Sequence, residues 1–131
     1  MLFRSGSESF LLANMRNGGA GTISATANVN PAAIYELYVK LDPLRQRTLQ
    51  HNETARLDLE GQQARLNVVR EVFDRKYPMI AALKQALAIY ANDPEWARVR
   101  PPLVELTAEQ AKMLGAELEA IGFEWKGRRK K

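Results

Sequence analysis

A cluster of glycines near the start of the chain constrains the fold more than any other feature. Residues 18–21 read Gly-Gly-Ala-Gly and follow a mainly apolar stretch at residues 10–15. Paired glycines commonly end a helix and begin a new element. In residues 22–29, β-branched side chains are separated only by small ones, which is typical of a strand packed closely on both faces. The pattern predicts a helix, a tight corner and a strand.

A second helix and an earlier strand complete this pattern. Asn30 is a candidate N-cap, and Pro31 suits the first position of a helix. We expect the earlier strand at residues 2–4, followed by Ser-Gly-Ser-Glu at residues 5–8 and a helix over residues 8–17. The sequence therefore predicts two parallel strands and their helices. Their unpaired sheet edges favour a homo-oligomer or pairing with a complementary polypeptide.

Beyond residue 31 the apolar residues recur at helical spacing, every three, four or seven positions. They predict helices over residues 31–40, 62–76, 79–90 and 108–121. Between the first two lies a polar segment, residues 43–61, which fits either an exposed helical insertion or a product of altered reading of the gene. Before the last helix, Thr107 and Gln110 have the spacing of a capping box.

Length and composition limit the fold and its environment. A chain of 131 residues is one ordinary domain, whereas a complete (β/α)8 barrel needs about 250 residues. Cysteine is absent, which excludes disulfides and thiolate metal sites. The chain has neither a signal-peptide pattern nor an apolar run of the roughly 18 residues that a membrane helix needs. We expect a cytoplasmic protein that does not bind membranes.

Positive charge is concentrated at the end of the chain. The net charge is +4, and residues 126–131 contain five Lys or Arg. Such a tail can bind phosphate backbones or anionic lipid, but no basic helical face accompanies it. A solvated terminus is therefore favoured over nucleic-acid binding.

Two stretches, in the same order, resemble a known enzyme family. Ser-Gly-Ser-Glu at residues 5–8 and Gly-Gly-Ala-Gly-Thr-Ile-Ser-Ala-Thr-Ala-Asn-Val-Asn-Pro at residues 18–31 look like the last two βα units of the dihydrodipicolinate synthase / N-acetylneuraminate lyase family. Residues 77–84 and 99–103 resemble the C-terminal helical region of that family. The resemblance implies an α/β fold, the C-terminal portion of a (β/α)8 TIM barrel followed by a C-terminal helical bundle, and a predominantly helical chain.

The same resemblance implies an organisation in four parts. Residues 1–42 would form the last two βα units of the barrel, and residues 43–61 a polar irregular insertion. Residues 62–125 would form the C-terminal helical region, and residues 126–131 the basic tail.

The resemblance also implies a chemistry. Family members form a Schiff base between a strand lysine and pyruvate, or a related 2-oxo acid, and make or break a carbon–carbon bond. We expect this small-molecule substrate and no cofactor. By the same resemblance, Gly6 lets the backbone approach the substrate, and Ser7 and Glu8 face its distal part. Ile23 offers a main-chain carbonyl toward the pyruvate-derived carbons.

The resemblance extends to Ala25 and leaves the role of Glu8 open. Ala25 matches a position that contributes a side chain in some sugar-acid lyases, and alanine contributes none. For Glu8 two interpretations stay open. Its carboxylate either binds substrate hydroxyls or is stabilised by the helix N-terminus, at about 0.3 to 1 kcal/mol.

The catalytic lysine of that family belongs to an earlier strand. A Schiff-base lysine must be partly desolvated so that its amine is neutral and nucleophilic. None of the lysines of this sequence lies on a predicted strand: Lys40, Lys76, Lys84, Lys112, Lys126, Lys130 and Lys131. We therefore expect the C-terminal fragment of a Schiff-base lyase or aldolase, inactive alone and without catalytic residues of its own. The alternative is a non-catalytic, self-associating interaction module or a degenerate remnant.

Other patterns that could carry chemistry are incomplete. The glycine cluster precedes a strand rather than a helix, and no Lys-Ser/Thr pair follows it, so it does not fit a phosphate loop. His51 has no second histidine at metal-ligand spacing, which favours a solvated side chain over a metal or base role. We expect no metal site. Trp96 and Trp125 fit packing anchors better than cofactor platforms.

Overall fold

The computed structural model describes residues 3–41 and 53–125. Within them the chain is mostly helical, with one two-stranded parallel sheet. The chain divides into two compact units, Met1–Asn67 and Val68–Lys131. Three predictions lie outside the described residues: the solvated His51, the polar segment as far as residue 52, and the basic tail at residues 126–131.

The first unit begins with two parallel strands. Strand β1 covers Arg4–Ser5 and strand β2 covers Gly21–Thr22. Arg4 lies opposite Gly21, and Ser5 lies opposite Thr22. A 3-10 helix at Glu8–Phe10 and helix α1 at Leu11–Arg16 connect them, because parallel strands need a crossover connection. The predicted parallel pair is confirmed.

Strand β2 is much shorter than the sequence predicts. In place of a strand over residues 22–29, the chain enters a 3-10 helix at Ala25–Asn28. There the Val29 amide donates to the Thr26 carbonyl at 3.0 Å. Thr26 is 1% exposed and Val29 is 2% exposed, so the last two β-branched residues of that stretch reflect a buried turn.

Helices α2 and α3 complete the first unit. Helix α2 covers Pro31–Lys40, as predicted. Helix α3 covers Glu53–Arg75 and begins inside the segment predicted to be polar and irregular. It does so because Leu59 and Leu66, seven residues apart, lie on one helical face and join an apolar core. The buried members of that core are Leu11, Leu12, Met15, Ile34, Leu37, Leu41, Leu59 and Leu66.

The second unit contains the end of α3 and two more helices. Helix α4 covers Met79–Ala91, a 3-10 helix covers Pro94–Ala97, and helix α5 covers Ala108–Ala120. Their bounds agree with the helical periodicity of the sequence. The fully buried large side chains of this unit are Phe73, Leu114 and Leu118.

Helix α5 begins with the predicted capping box. The Thr107 hydroxyl accepts a hydrogen bond from the Gln110 amide at 3.2 Å, and the Gln110 carboxamide oxygen accepts one from the Thr107 amide at 3.0 Å. Gly122 follows the helix with a φ of 66°, a left-handed conformation that favours glycine. None of the helices in the described part of the chain is both long and apolar enough to span a membrane.

Candidate functional site

The carboxyl ends of β1 and β2 lie side by side, because the two strands pair in parallel. In parallel α/β sheets, ligands bind outside this end of the strands. After β1, Ser7 has an extended backbone (φ −149°, ψ 140°) and caps the following 3-10 helix. Its hydroxyl accepts a hydrogen bond from the Ser9 amide at 3.2 Å. This cap places Glu8 at the first position of the helix.

Glu8 is buried between the two strand ends. Only 1% of its surface is exposed, and its carboxylate accepts hydrogen bonds from the hydroxyls of Ser24 and Thr26. The two hydroxyl oxygens are 3.0 Å apart. Hydrogen bonds to a carboxylate are stronger than those between neutral groups. Glu8 therefore ties the loop after β1 to the turn after β2.

A glutamine of helix α3 holds the same loop by its backbone. Gln63 is 8% exposed, and its Nε2 donates to the Glu8 carbonyl at 2.9 Å and to Asn67 Oδ1 at 3.0 Å. Its Oε1 accepts from the Leu12 amide at 3.0 Å. The loop that carries Glu8 is thus fixed both by its side chain and by its main chain.

Sequence reasoning did not identify Ser24, Thr26 or Gln63. Ser24 and Thr26 fitted the predicted strand, Ser24 as a small residue and Thr26 as a β-branched one. The signal for Gln63 is a polar residue on an otherwise apolar stripe, four positions after Leu59 and three before Leu66. Such a position indicates a buried polar contact, but it does not indicate with which part of the chain.

The four residues predicted to bind substrate all lie at this end of the sheet. Gly6 is exposed, and a Cβ added there would meet no atom within 4 Å. Ile23 is 71% exposed, and its amide donates to the Ser5 carbonyl at 2.9 Å. Ser7 and Glu8 are buried. Gly6 and Ile23 are therefore the accessible members, whereas the side chains of Ser7 and Glu8 make internal hydrogen bonds.

A cavity of about 320 Å³ lies beside β2 within the first unit, and none of the four predicted residues lines it. Strand β2 and helix α2 contribute most of its walls. Tyr35 and Tyr38 of α2 are 65% and 40% exposed, with ring centroids 6.5 Å apart. The lining residues are Arg4, Leu11, Ala20, Gly21, Thr22, Ala27, Pro31, Ile34, Tyr35 and Tyr38. This composition is typical of a surface for apolar packing rather than of a charged-ligand site.

Within the described residues no lysine lies on a strand and no cluster of possible metal ligands forms. Within residues 3–41 and 53–125, no three His, Asp or Glu side chains are placed to hold a metal ion. The described lysines all lie outside the strands: Lys40, Lys76, Lys84 and Lys112. Lys40 contacts Asp58 at 2.9 Å, and this hydrogen bond lowers the pKa of the Asp58 carboxyl. The hydrogen bond to Glu117 at 2.6 Å raises the pKa of the Lys76 amine, so Lys76 stays charged.

Comparisons with known proteins point to an aldolase fold. The sequence profile of the dihydrodipicolinate synthetase family matches residues 1–121. Among solved structures, the chain is similar to a variant of Sulfolobus solfataricus 2-keto-3-deoxygluconate aldolase in complex with L-2-keto, 3-deoxy-galactonate. The TM-score is 0.72 at 19% identity, and the similarity covers 93% of this chain and 38% of that chain. At this identity it shows the fold alone. No curated protein matches the chain significantly.

Proposed function

Since the chain belongs to the dihydrodipicolinate synthetase family, we propose that it forms the substrate-side portion of a cytoplasmic Schiff-base lyase or aldolase that acts on pyruvate or a related 2-oxo acid. In this proposal β1 and β2, with α1 and α2, are the last two βα units of a (β/α)8 barrel. The chain spans 38% of the similar aldolase, and this extent supports a portion of a barrel rather than a whole one. That aldolase was solved with a 2-keto sugar acid bound.

The single observation that carries the proposal is the buried Glu8 at the paired strand ends, within the part of the chain that the family profile matches. In (β/α)8 enzymes the reacting groups lie at the carboxyl ends of the strands. The accessible backbone at Gly6 and Ile23 would contact the substrate there. Glu8 would act by fixing the loop after β1 against the hydroxyls of Ser24 and Thr26, with Ser7 as the cap of that loop.

The reaction also needs a desolvated amine, and neither strand of the described residues carries a lysine. A Schiff base forms when a neutral lysine amine attacks the 2-oxo carbon and water leaves, and this requires a desolvated amine. Lys40 and Lys76 are paired with carboxylates on exposed helical surfaces. We propose that the reacting lysine comes from another strand of the barrel, and that this portion forms no Schiff base when alone.

Borohydride reduction in the presence of pyruvate, followed by intact-mass analysis, tests the proposal. The chain is measured alone and together with a complementing polypeptide, defined as the first six βα units of the Sulfolobus solfataricus aldolase. We expect no adduct on this chain, an adduct on the complementing polypeptide, and aldol turnover only when both are present. The control is the complementing polypeptide with its strand lysine replaced by methionine.

Two outcomes would contradict the proposal. An adduct on this chain would mean that one of its own lysines reacts. Failure of the mixture to form an adduct or turn over substrate, although the two polypeptides bind one another, would mean that this portion does not complete an active site.

A second function, a non-catalytic self-associating module, is favoured by a different observation. The sheet in the described residues has two strands of two residues each, and sheets of this size are marginal in water without further partners. The cavity beside β2, with exposed Tyr35 and Tyr38, would then be covered by another copy. Light scattering of the purified chain measures its oligomeric state. A stable monomer at all concentrations would contradict self-association.

A further inference from the structure

Gln63 connects helix α3 to the loop after β1 across a long separation in sequence. Its hydrogen bonds reach the Glu8 carbonyl, 55 residues away, and the Leu12 amide, 51 residues away. Neither contact depends on the side chain of Glu8 or Leu12. Gln63 therefore acts on the backbone of residues 8–12.

Both N–H groups and the oxygen of the Gln63 carboxamide have hydrogen-bond partners. Its two N–H groups donate to the Glu8 carbonyl and Asn67 Oδ1, and its oxygen accepts from the Leu12 amide. A flipped carboxamide would set oxygen against the Glu8 carbonyl and N–H against the Leu12 amide, which are two repulsive contacts. Only the observed orientation satisfies this buried polar group.

The position of the Leu12 amide explains why this contact matters. Leu12 is the second residue of α1, and the first amides of a helix have no partner within the helix. Gln63 supplies the acceptor from a different helix. At the same time it holds the Glu8 carbonyl, so it fixes both ends of residues 8–12, which begin directly after the Ser7 cap.

We propose that Gln63 is a positioning residue of the candidate site, which sets the backbone of residues 8–12 and thereby the substrate-side loop. The consequence for substrate rests on the proposed function, whereas the consequence for the loop does not. An aliphatic residue at position 63 would suit the stripe of Leu59 and Leu66, but it would leave the Leu12 amide without this acceptor. The Glu8 carbonyl would lose the Gln63 donor and keep its hydrogen bond from the Leu11 amide.

The first measurement is amide hydrogen exchange by NMR on the full chain. Gln63→Met removes all three hydrogen bonds at nearly constant size. The matched control is Gln62→Met, since Gln62 is the neighbouring residue and donates to Asp58 Oδ2 at 2.8 Å on the exposed side. We expect Gln63→Met to speed exchange of the Leu12 amide by about tenfold, as the loss of one hydrogen bond predicts. The control should leave it unchanged.

Gln63→Glu separates the two backbone contacts and is measured beside Gln63→Met. Glutamate keeps an acceptor for the Leu12 amide but loses the donor to the Glu8 carbonyl. Protection at Leu12 should be retained, while the carbonyl ¹³C signal of Glu8 shifts. Equal exchange at Leu12 in Gln63→Met and Gln62→Met, or an unshifted Glu8 carbonyl in Gln63→Glu, would overturn the proposal.

The second measurement is made in the mixture with the complementing polypeptide, using pyruvate and glyceraldehyde. We expect Gln63→Met to raise the KM for glyceraldehyde severalfold and to leave the rate of the borohydride-trapped pyruvate adduct unchanged. A merely structural role would lower the rate of adduct formation in proportion to the folded fraction and leave the KM for glyceraldehyde unchanged, and that result would overturn the positioning role. If the unsubstituted mixture forms no adduct although the two polypeptides bind one another, the proposed function fails, and hydrogen exchange still decides whether Gln63 sets the loop.

Discussion

The carboxylate of Glu8 and the hydroxyl of Thr26 meet across the carboxyl ends of two paired strands. The Thr26 hydroxyl donates to the carboxylate, and each residue is only 1% exposed. The contact joins two βα units whose strands pair over two residues each, with flanking hydrogen bonds from the Ala20 and Ile23 amides. Because few backbone hydrogen bonds join these two βα units, the Glu8–Thr26 contact contributes a larger fraction of the interaction between them than it would in a long sheet.

Thr26→Val should lower the free energy of unfolding by about 1 to 3 kcal/mol, because it leaves a buried carboxylate without one of its donors while it keeps the side-chain shape. Urea titration of the purified chain measures the change. Thr26→Ser is the control, since it keeps the hydroxyl. A Thr26→Val protein as stable as the Thr26→Ser protein would show that the contact has no net stabilising effect.

The core below this contact gives a second prediction. Leu37 is fully buried in the apolar cluster of the first unit. Leu37→Ala should lower the free energy of unfolding by about 2 to 5 kcal/mol through lost burial and the cavity left behind. Tyr35→Ala, two positions earlier on the same helix but 65% exposed, should change it by less than about 1 kcal/mol. Equal effects in urea titrations would contradict the core assignment.

The elements that the sequence predicts well are those whose determinants are local. Helix α5 is an example, since its capping box and the spacing of Leu114 and Leu118 are all visible within the helix and both leucines are fully buried. Strand β2 shows the limit of such reasoning. Burial of Thr26 and Val29 looks the same in sequence whether the chain is a strand or a turn, and hydrogen bonds between near neighbours decide for the turn.

The candidate site depends on contacts that no local pattern contains. The resemblance to a family is sufficient to predict that Gly6, Ser7, Glu8 and Ile23 lie near the strand ends. It does not predict that the Glu8 carboxylate turns inward, because its partners lie 16 and 18 residues away. Gln63 was missed for the same reason, at a separation of more than fifty residues.

The capping box of α5 predicts a modest and specific loss. Thr107→Ala removes the acceptor for the Gln110 amide and should lower the free energy of unfolding by about 1 kcal/mol. Thr107→Ser keeps a hydroxyl in the same place and should restore most of the stability. Thermal unfolding followed by circular dichroism compares the two, and equal midpoints would show that the cap does not contribute.

Two tyrosines of the second unit, the buried Tyr77 and the partly buried Tyr90, should respond differently to loss of the hydroxyl at neutral pH. In the described part of the chain the Tyr77 hydroxyl is buried without a hydrogen-bond partner, so Tyr77→Phe should leave stability unchanged or raise it by about 1 kcal/mol. The Tyr90 hydroxyl donates to the Phe123 carbonyl at 3.3 Å. Tyr90→Phe should lower stability by about 1 kcal/mol. Urea titration at pH 7 measures both, and a destabilised Tyr77→Phe would reveal a partner for that hydroxyl.

At alkaline pH the stability of the Tyr77→Phe protein should differ from that of the wild type. Burial, and secondarily the nearby Glu117 carboxylate, raises the pKa of the Tyr77 phenol. Its folded-state pKa therefore lies above the unfolded value of about 10, and the stability linked to the neutral phenol is complete below that pH and is lost as the pH rises through the folded-state pKa. Lys76, whose pKa is raised by its hydrogen bond to Glu117, loses its contribution over the same alkaline range. Unfolding free energies measured from pH 8 to about pH 11 should fall more steeply for the wild type than for Tyr77→Phe, and parallel curves would contradict the assignment to Tyr77.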